Sequence, residues 1–390
     1  MAAFFERSCS FIDKWGLALA GGGTRGAYHL GAWKALSELE VDIGAVVGTS
    51  IGSVNGALFA QGQFETAVRL WQSISAADVL DLGDGFADSQ NLLERKNIIP
   101  LAREVIRKNG LGTMPFEETL RGVIDEEKLR NSDIEYGLNT TSVRDMESLE
   151  VFIEDIPKGK LIDMIMASSC FPGFRKRYID DKAYADGGIM NNLPLDMLFK
   201  RGYKNVIAVD VGGVGMFDSF RCYDTNVVKI HCKKPMLGIF EFDRQAIGKS
   251  MKQSYYDTYK AFGRLVGNDY YFNTNDYFRA RARYSDELLS GLEIAARAFG
   301  IEEIAVYRVE SLIDGVVRKY ERLSEDRQGA ESTIDAVMRL GNDRAVIVRL
   351  ADMILKSHAD GLNNKLVANV LGDRLTAANA VAYFVNNFKK

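Results

Sequence analysis

Two glycine-rich turns near the start of the chain constrain the fold most, because each one separates a short apolar run from a helical pattern. The apolar run at residues 16–20 ends at the glycines of 21–26, and apolar side chains then recur at helical spacing over 27–39. The second unit repeats this order, with an apolar run at 43–47, a glycine turn at 48–52 and small residues suited to a packed helix. Strand, turn and helix in this order, twice, predict a parallel sheet with helices on its faces.

The rest of the chain divides into a part that continues the α/β pattern and a part that is mainly helical. The run at 206–211 predicts another buried strand, and 141–153 has stretches typical of strands that return along a sheet. Aromatic residues at helical spacing predict a helix over 251–271. We therefore expect an α/β domain at 14–273 and a helical C-terminal region at 274–390.

Composition and charge argue against several classes of protein. The 390 residues carry a formal net charge of -4, with a pI near 5.7, which gives no electrostatic reason to bind nucleic acid. The four cysteines have neither disulfide-framework nor zinc-site spacing, and the first residues contain no secretory signal. No apolar stretch of about 18 residues, the length needed to cross a membrane, occurs. These features predict a cytoplasmic protein.

The first turn reads Gly-Gly-Gly-Thr-Arg-Gly and can stabilise negative charge. Its glycines permit positive φ angles and close approach, and the helix that follows offers unpaired N–H groups at its N-terminus. The turn also fits G-x-G-x-x-G through Gly21, Gly23 and Gly26, with Glu40 or Asp42 at about the distance expected for ribose recognition. An NAD(P)-dependent Rossmann oxidoreductase is therefore one hypothesis, and an ordinary structural turn is another.

The second turn, Gly48-Thr49-Ser50-Ile51-Gly52, has the G-x-S-x-G pattern of a nucleophile elbow. Such a strand-to-helix turn holds a serine on a sharp, strained bend, and the flanking glycines avoid collisions with the neighbouring strand and helix. Parallel strands end at the same edge of a sheet, so Gly22 and Gly23 can lie near Ser50 and donate two N–H groups to an oxyanion. The two turns together favour acyl transfer over nucleotide binding.

A serine nucleophile needs a base, and none of the three histidines has a catalytic context. His29 lies on the helix after the glycine loop, His231 follows a strand pattern, and His358 lies in the helical tail. Asp186 stands directly before a Gly-Gly pair, which we expect to form a bend that exposes the carboxylate. A partly desolvated carboxylate has a raised pKa and can act as the base. An ordinary Asp-Gly turn is the alternative interpretation.

Taken in order, these motifs resemble those of the patatin-like phospholipase family of bacterial type, whose members are Ser–Asp dyad lipid acyl hydrolases. The resemblance includes Ala-Ser-Ser-Cys-Phe-Pro-Gly-Phe at 167–174 and Asn-Asn-Leu-Pro at 191–194, and it covers about residues 14–273. It implies a three-layer α/β/α fold with a mainly parallel central sheet. The glycines of the three motifs, apart from the oxyanion pair, are Gly21, Gly26, Gly48, Gly52, Gly187 and Gly188.

The resemblance also implies a role for each matching residue. Ser50 attacks an ester carbonyl, Asp186 accepts its proton, and the N–H groups of Gly22 and Gly23 hold the oxyanion. Arg25 either places the substrate phosphate or braces the loop. A water activated by the aspartate then hydrolyses the acyl-enzyme, and neither a metal nor another cofactor is required. The implied substrates are phospholipids or other fatty acyl esters.

One segment departs from the family pattern, because residues 171–178 are more basic than the usual apolar, proline-rich version. This predicts fewer apolar contacts near the acyl site, with Arg175, Lys176 and Arg177 either meeting anionic headgroups or forming a solvated turn. Peripheral contact with a membrane and a homo-oligomer are both compatible with the sequence. A further hypothesis is an effector in which the helices of 274–390, or a partner, regulate the patatin-like domain.

Overall fold

The structure is a computed structural model that describes residues 14–82, 86, 90–213, 225–325, 342–356 and 369–388. Internal contacts divide the chain into two compact units, with the division between Ala261 and Phe262. The boundary expected from the sequence, after residue 273, lies further along the chain.

The first unit is built on one large sheet. Its strands are Trp15–Leu19 (β1), Ile43–Thr49 (β2), Glu135–Ser142 (β3), Glu147–Phe152 (β4), Arg177–Ile179 (β5), Lys182–Asp186 (β6), Asn205–Asp210 (β7) and Asn226–His231 (β8). The strand order is β5-β6-β3-β2-β1-β7-β8, and β4 pairs with β3 at the side. The pairs from β3 to β8 in this order are parallel, whereas β3–β4, β3–β6 and β5–β6 are antiparallel. The mainly parallel sheet confirms the predicted α/β fold.

Helices cover both faces of this sheet. The described α-helices of this unit are Ala27–Glu38 (α1), Ile51–Ala60 (α2), Phe64–Ser73 (α3), Arg95–Lys108 (α4), Met114–Val123 (α5), Glu126–Arg130 (α6), Leu161–Ser168 (α7), Leu195–Lys200 (α8) and Arg244–Ala261 (α9). At Gly16 of β1 a Cβ would meet Leu198 of α8, whereas Leu19 faces Gly56 of α2. Because odd and even positions of a strand point to opposite faces, α8 and α2 lie on different sides of the sheet. The fold is therefore three-layered, as the resemblance implies.

The second glycine turn follows an uninterrupted apolar run because β2 and α2 lie at the centre of the first unit. All seven residues of β2 and all ten of α2 are buried. A strand covered by helices on both faces has no solvent side, so its sequence does not alternate. In the register of β1 and β2, Leu19 pairs with Gly48, and the turns after both strands therefore meet at one edge of the sheet.

A hairpin brings a third chain segment to the same edge. Strands β5 and β6 are joined by Asp180 and Asp181, whose φ angles are 47° and 61°. Two consecutive left-handed residues form the type of turn whose twist suits a two-residue hairpin. Strand β6 then runs antiparallel to β3 and ends at Asp186, opposite Thr140.

The second unit has its own sheet and its own core. Its described strands are Leu265–Val266 (β9), Tyr271–Asn273 (β10) and Val306–Tyr307 (β11), and its described helices are Thr274–Arg281 (α10), Asp286–Ala298 (α11), Val309–Glu325 (α12), Asp343–Leu355 (α13) and Asp373–Asn387 (α14). Tyr270 and Phe272 are buried together with apolar side chains of α11 to α14. The carboxylate of Glu293, which is 1% exposed, accepts the N–H groups of residues 268–270 and ties this strand segment to α11.

Two sequence predictions differ from the structure. The helix predicted over 251–271 is wrong in its second half, because α9 ends at Ala261 and residues 265–273 form β9 and β10. Gly263 and Gly267 have φ angles of 68° and 117°, which end the helix and turn the chain. The returning strands predicted at 141–153 include β4 but miss most of β3, which starts at Glu135. None of the described helices combines the length and the apolar character needed to span a bilayer.

Candidate active site

Ser50 lies between β2 and α2 in a strained backbone conformation. Its φ and ψ angles are 55° and -127°, in a region that non-glycine residues rarely adopt. A Cβ at Gly48 would lie 2.2 Å from the carbonyl oxygen of Gly52, and a Cβ at Gly52 would lie 2.2 Å from that of Leu19. The tight bend at Ser50 therefore requires glycine on both sides.

The carboxylate of Asp186 is hydrogen-bonded to this serine. Ser50 Oγ lies 2.7 Å from Asp186 Oδ2, and Asp186 Oδ1 accepts the N–H of Gly188 at 2.8 Å. A Cβ at Gly187 would lie 2.3 Å from the carbonyl oxygen of Asn139, so the turn after the aspartate also packs against β3. The side chain of Asp186 is only 5% exposed. The Gly-Gly bend therefore presents the carboxylate to the serine and to the cavity, at a position that is almost completely shielded from solvent.

The environment of Asp186 changes its affinity for a proton. Burial raises the pKa of Asp186 from 3.8 to about 6, and the hydrogen bonds from Ser50 and from the N–H of Gly188 oppose this shift. A carboxylate with this pKa is still ionised at neutral pH but binds a proton more readily than an ordinary aspartate. The site thus holds a serine hydroxyl against a buried carboxylate with a raised pKa.

Ser168, at the end of α7, contacts the backbone of the nucleophile. The N–H of Ser50 donates to Ser168 Oγ at 2.8 Å, and Ser168 Oγ donates to the carbonyl oxygen of Asn139 at 2.6 Å. Ser168 is fully buried. The N–H of Ser50 is therefore already engaged and is not free to stabilise an oxyanion. The sequence resemblance includes Ser168 but assigns it no role, and no local pattern marks the contact.

The glycine loop lies beside Ser50 and carries two N–H groups that are not engaged by the described residues. Gly22 and Gly23 line the same cavity as Ser50, and the described residues offer no acceptor to the N–H group of either glycine. Gly23 has a φ angle of 57°, and a Cβ there would lie 2.2 Å from the carbonyl oxygen of Ile239. The N–H of Thr24 donates to that same oxygen at 2.8 Å. The loop is therefore held in a left-handed turn against the segment around Ile239.

Asn192 connects the glycine loop to the turn after Asp186. The N–H of Gly21 donates to the carbonyl oxygen of Asn192 at 3.1 Å, and Asn192 Nδ2 donates back to the carbonyl oxygen of Gly21 at 3.2 Å. A Cβ at Gly188 would lie 2.6 Å from Asn192 Oδ1. Asn192 therefore fixes the distance between the loop and the base, a role that the sequence did not reveal.

Arg25 points toward main-chain carbonyl groups rather than into open space. Its Nε donates to the carbonyl oxygen of Leu237 at 2.9 Å, and its Nη1 donates to that of Gly212. Of the two roles expected for Arg25, this geometry favours bracing of the loop. Gly26 completes the turn, since a Cβ there would lie 2.7 Å from the side chain of Ile51.

A cavity of about 400 Å³ lies over the serine and the aspartate. Apolar side chains from several elements form most of its wall, namely Ile51, Trp71, Ile74, Val79, Phe116, Phe171, Pro172, Phe174, Ile189, Ile239, Phe240 and Phe242. The rings of Phe171, Phe174 and Phe240 form a cluster with centroids 5.2 to 5.9 Å apart. A largely apolar cavity with a few polar groups at one place suits a ligand with a long apolar part.

The basic segment at 171–178 still contributes apolar side chains to this cavity. Phe171, Pro172 and Phe174 all line it. Arg177 forms ion pairs with Glu117 and Asp163, at 2.6 and 3.0 Å, so it is not available to a headgroup. Arg175 and Lys176 are exposed and form no ion pair with any described residue.

The described histidines lie outside the cavity wall, as the sequence indicates. His29 is 2% exposed, its Nδ1 lies 3.0 Å from Asn55 Nδ2, and burial lowers its pKa to about 3. His231 Nδ1 lies 3.0 Å from Asp210 Oδ2. His358 is outside the described residues.

The acidic residues invoked for a dinucleotide site are at the wrong edge of the sheet. Glu40 and Asp42 precede β2, and Asp42 pairs with Lys14 just before β1. The glycine loop follows β1, and β1 and β2 are parallel. Because the beginnings and ends of parallel strands lie at opposite edges, neither carboxylate can contact a ribose bound at the loop. The arrangement does not favour the Rossmann oxidoreductase.

One α/β/α domain thus holds the elbow, the buried aspartate and the glycine loop around a single apolar cavity. Residues 17–199 match the family model described as patatin-like phospholipase, so this chain carries a patatin-like phospholipase domain. The match supports lipid acyl hydrolase activity, in agreement with the sequence resemblance.

Several curated proteins are similar to the same half of the chain. Patatin-like phospholipase domain-containing protein 7 of Rattus norvegicus is 28% identical over 200 residues, which are 50% of this chain and 13% of that protein. Patatin-like phospholipase domain-containing protein 6 of Homo sapiens is 31% identical over 203 residues, again 50% of this chain and 13% of that protein. An uncharacterised NTE family protein of Mycobacterium tuberculosis is 25% identical over 198 residues, which are 50% of this chain and 49% of that protein. The chain thus matches about half of the bacterial relative and a small part of the mammalian ones.

Among solved structures, VipD from Legionella pneumophila is similar at a TM-score of 0.42 and 13% identity. The alignment covers 97% of this chain and 92% of that one.

Proposed function

We propose that this protein hydrolyses fatty acyl esters of phospholipids or related lipids through an acyl-enzyme on Ser50, with Asp186 as the general base. The observation that carries the proposal is the 2.7 Å hydrogen bond between Ser50 Oγ and the buried Asp186 Oδ2, at the polar point of an apolar cavity. The family of the domain supports the lipid substrate, and the strained elbow supports the serine as nucleophile.

The first half of the proposed reaction forms the acyl-enzyme. Asp186 Oδ2 takes the proton of the Ser50 hydroxyl as Oγ forms a bond to the ester carbonyl carbon. The carbonyl electron pair moves onto the oxygen, where the N–H groups of Gly22 and Gly23 stabilise the charge. The intermediate then releases the alcohol part of the lipid, which leaves with the proton held by Asp186.

The second half repeats these steps with water. The water gives a proton to Asp186 and attacks the acyl carbon, and the same two glycine N–H groups hold the oxyanion. Ser50 leaves with the proton, and the products are a free fatty acid and the unmodified enzyme. Arg25 contributes in this proposal by keeping the glycine loop in place through its bonds to the carbonyl groups of Leu237 and Gly212.

A fluorophosphonate probe tests the nucleophile directly. We expect the full chain to be labelled, Ser50→Ala to remain unlabelled, and the exposed serine variant Ser73→Ala to be labelled like wild type. Equal labelling of wild type and Ser50→Ala is incompatible with the proposal. An intact-mass shift on Ser50 identifies the modified residue.

Lipid products identify the reaction. The protein is incubated with mixed phospholipid vesicles, and free fatty acids and lysolipids are measured by mass spectrometry. We expect both products with wild type and neither with Ser50→Ala or Asp186→Ala. Thermal unfolding of the two variants shows whether the loss of products reflects chemistry or loss of the fold.

A further inference from the structure

Helix α4, residues Arg95–Lys108, is an amphipathic helix without a single buried residue. The residues that flank it are well buried, since Leu92 is 0% and Leu111 is 3% exposed. Along the helix, Ile98, Ile99 and Ile106 are 49%, 63% and 80% exposed. A helix anchored at both ends that leaves three isoleucines in solvent presents a surface suited to binding.

The most exposed apolar side chains lie on one outward face of α4. Ile99 and Ile106 are seven residues apart and therefore share a face, on which Arg95 and Arg103 lie four residues before and after Ile99. The opposite face, which includes Leu101 and the other half-buried residues, lies toward the protein. We call the four residues Arg95, Ile99, Arg103 and Ile106 the α4 face.

Two arginines that pair with no described carboxylate flank the isoleucines of the α4 face. Within the described residues, Arg95 and Arg103 form no ion pair, and the same holds for the exposed Arg175 and Lys176 of the neighbouring segment. Elsewhere on the helix, Arg107 is paired with Glu104. The α4 face therefore combines exposed apolar side chains with two cations that no described carboxylate neutralises, in a chain whose net charge is -4. That combination is typical of a helix that lies in the surface of an anionic lipid layer.

Both ends of α4 are hydrogen-bonded to segments that line the candidate active site. Before the helix, the N–H of Leu92 donates to the carbonyl oxygen of Phe240 at 3.0 Å. After it, the N–H of Leu111 donates to the carbonyl oxygen of Gly173 at 3.0 Å, and the N–H of Arg175 donates to that of Leu111 at 2.8 Å. Phe240 and the residues on either side of Gly173 line the cavity, and Pro172 among them is also exposed. The cavity therefore reaches the surface beside the end of α4.

We propose that the α4 face, with Arg175 and Lys176, docks on the surface of an anionic phospholipid layer and holds the cavity beside its substrate. Lipid is the occupant that fits both observations, because its headgroups complement the free cations and its acyl chains match the isoleucines and the apolar cavity. The choice of lipid rests on the proposed function of the cavity. The docking itself does not require Ser50 and is tested separately from hydrolysis.

Vesicle co-sedimentation of the full chain tests the docking. Vesicles of phosphatidylcholine with phosphatidylglycerol are compared with vesicles of phosphatidylcholine alone, and wild type should bind the anionic vesicles more tightly and lose binding at high salt. We expect Ile99→Gln/Ile106→Gln to weaken binding about tenfold or more, and Arg95→Gln/Arg103→Gln to weaken it by a similar factor on anionic vesicles only. Phe278→Gln, which changes an exposed aromatic residue of α10, is the matched control and should bind like wild type.

Three further measurements distinguish a loss of docking from a loss of hydrolysis and from a change in oligomeric state. Ser50→Ala should bind vesicles like wild type without hydrolysing lipid, so a failure of hydrolysis leaves the docking result intact. A water-soluble short-chain ester reports on the active site alone, and its turnover by Ile99→Gln/Ile106→Gln should stay within about twofold of wild type. Binding of that variant within about twofold of wild type overturns the proposal. A lower oligomeric mass of Ile99→Gln/Ile106→Gln than of wild type in light scattering also overturns the proposal, because the α4 face then contacts a second copy of the chain.

Discussion

At the scale of single residues, the site brings together groups that are individually unfavourable. Ser50 adopts a strained backbone conformation, and Asp186 is a carboxylate that is almost completely buried. Each is maintained by its surroundings, the serine by the two glycines of the elbow and the aspartate by the N–H of Gly188. Strain and burial of this kind lower stability, and they are expected where a protein prepares a nucleophile and a base.

Because Asp186 carries a buried charge, we predict that replacing it with a neutral residue stabilises the protein. Burial raises the pKa of Asp186 from 3.8 to about 6, so the folded state binds its proton more tightly than the unfolded state. The stabilising contribution of protonation is complete below pH 3.8 and is lost as the pH rises through about 6. At pH 7.5 we expect Asp186→Asn to raise the free energy of unfolding by up to about 3 kcal/mol. Urea unfolding at several pH values should show this gain shrinking toward acid pH, and a variant less stable than wild type at pH 7.5 contradicts the prediction.

The same pKa predicts an acid limb in the pH dependence of activity. Only the ionised carboxylate accepts the proton of Ser50, so kcat/KM for a soluble ester should be constant above about pH 7 and fall below pH 6. The fall should approach about tenfold per pH unit, as for a single ionisation. A steady-state pH profile measures it, with unfolding followed in parallel. A limb centred near pH 4 is the result that rules out Asp186 in this environment as the base.

Ser168 gives a prediction about positioning rather than chemistry. Ser168→Ala leaves the N–H of Ser50 without an acceptor, so the elbow loses its link through Ser168 to the carbonyl oxygen of Asn139 in β3. We expect kcat to fall about tenfold or more with little change in KM, together with slower labelling by the fluorophosphonate probe. Ser254→Ala removes another fully buried hydroxyl, in α9, and is the matched control with unchanged kcat. Similar kinetics for both variants mean that the bond to Ser168 does not position the nucleophile.

At the scale of elements, the glycine turns determine how closely strand and helix approach. A Cβ at Gly52 would lie 2.2 Å from the carbonyl oxygen of Leu19, so Gly52→Ala has to separate α2 from β1. We expect it to lower the free energy of unfolding by about 3 kcal/mol or more. Gly122→Ala, inside α5 where no atom lies within 4 Å, should instead be neutral or stabilise by up to about 1 kcal/mol. Thermal unfolding of the two variants checks both, and equal melting temperatures contradict the close approach at Gly52.

The parts of the fold and site that were predictable from the sequence are those with a local signal. The elbow around Ser50 and the strands β1, β2 and β7 follow from short contiguous patterns. Strand β3 was largely missed because its buried residues include Asn139, Thr140 and Thr141, whose side chains bond to neighbouring strands and turns rather than forming an apolar run.

Contacts between distant segments were not predictable in the same way. Ser168 reaches Ser50 across 118 residues, and Asn192 reaches Gly21 across 171. Asp186 was identified from the Gly-Gly pair after it, the lack of a placed histidine and the order of the three motifs. The sequence indicated a partly desolvated carboxylate but not the hairpin that directs β6 into the site, because the turn at Asp180 and Asp181 has no apolar signature.

At the scale of the whole molecule, the chain divides into two units, and each unit has its own set of buried residues. Every residue discussed for the active site lies before Ala261, and the described core of the second unit is formed by residues from 270 onward. The segment of residues 265–273 belongs to this second core through Tyr270 and Phe272. A boundary after residue 273 would therefore remove two buried aromatic side chains from the unit that they stabilise.

This division gives a prediction with an internal control. We expect a fragment of residues 1–261 to fold and to react with the fluorophosphonate probe at Ser50, because the base, the glycine loop and the cavity wall are all contained in it. For the second unit, a fragment of 262–390 should unfold cooperatively, whereas 274–390 lacks β9, β10 and the partners of Glu293 and should be markedly less stable. Circular dichroism during thermal unfolding compares the two fragments. If the fragments 262–390 and 274–390 are equally stable, the boundary lies after residue 273. If the fragment 1–261 does not react with the probe, the site depends on the C-terminal helices, as the regulated effector hypothesis requires.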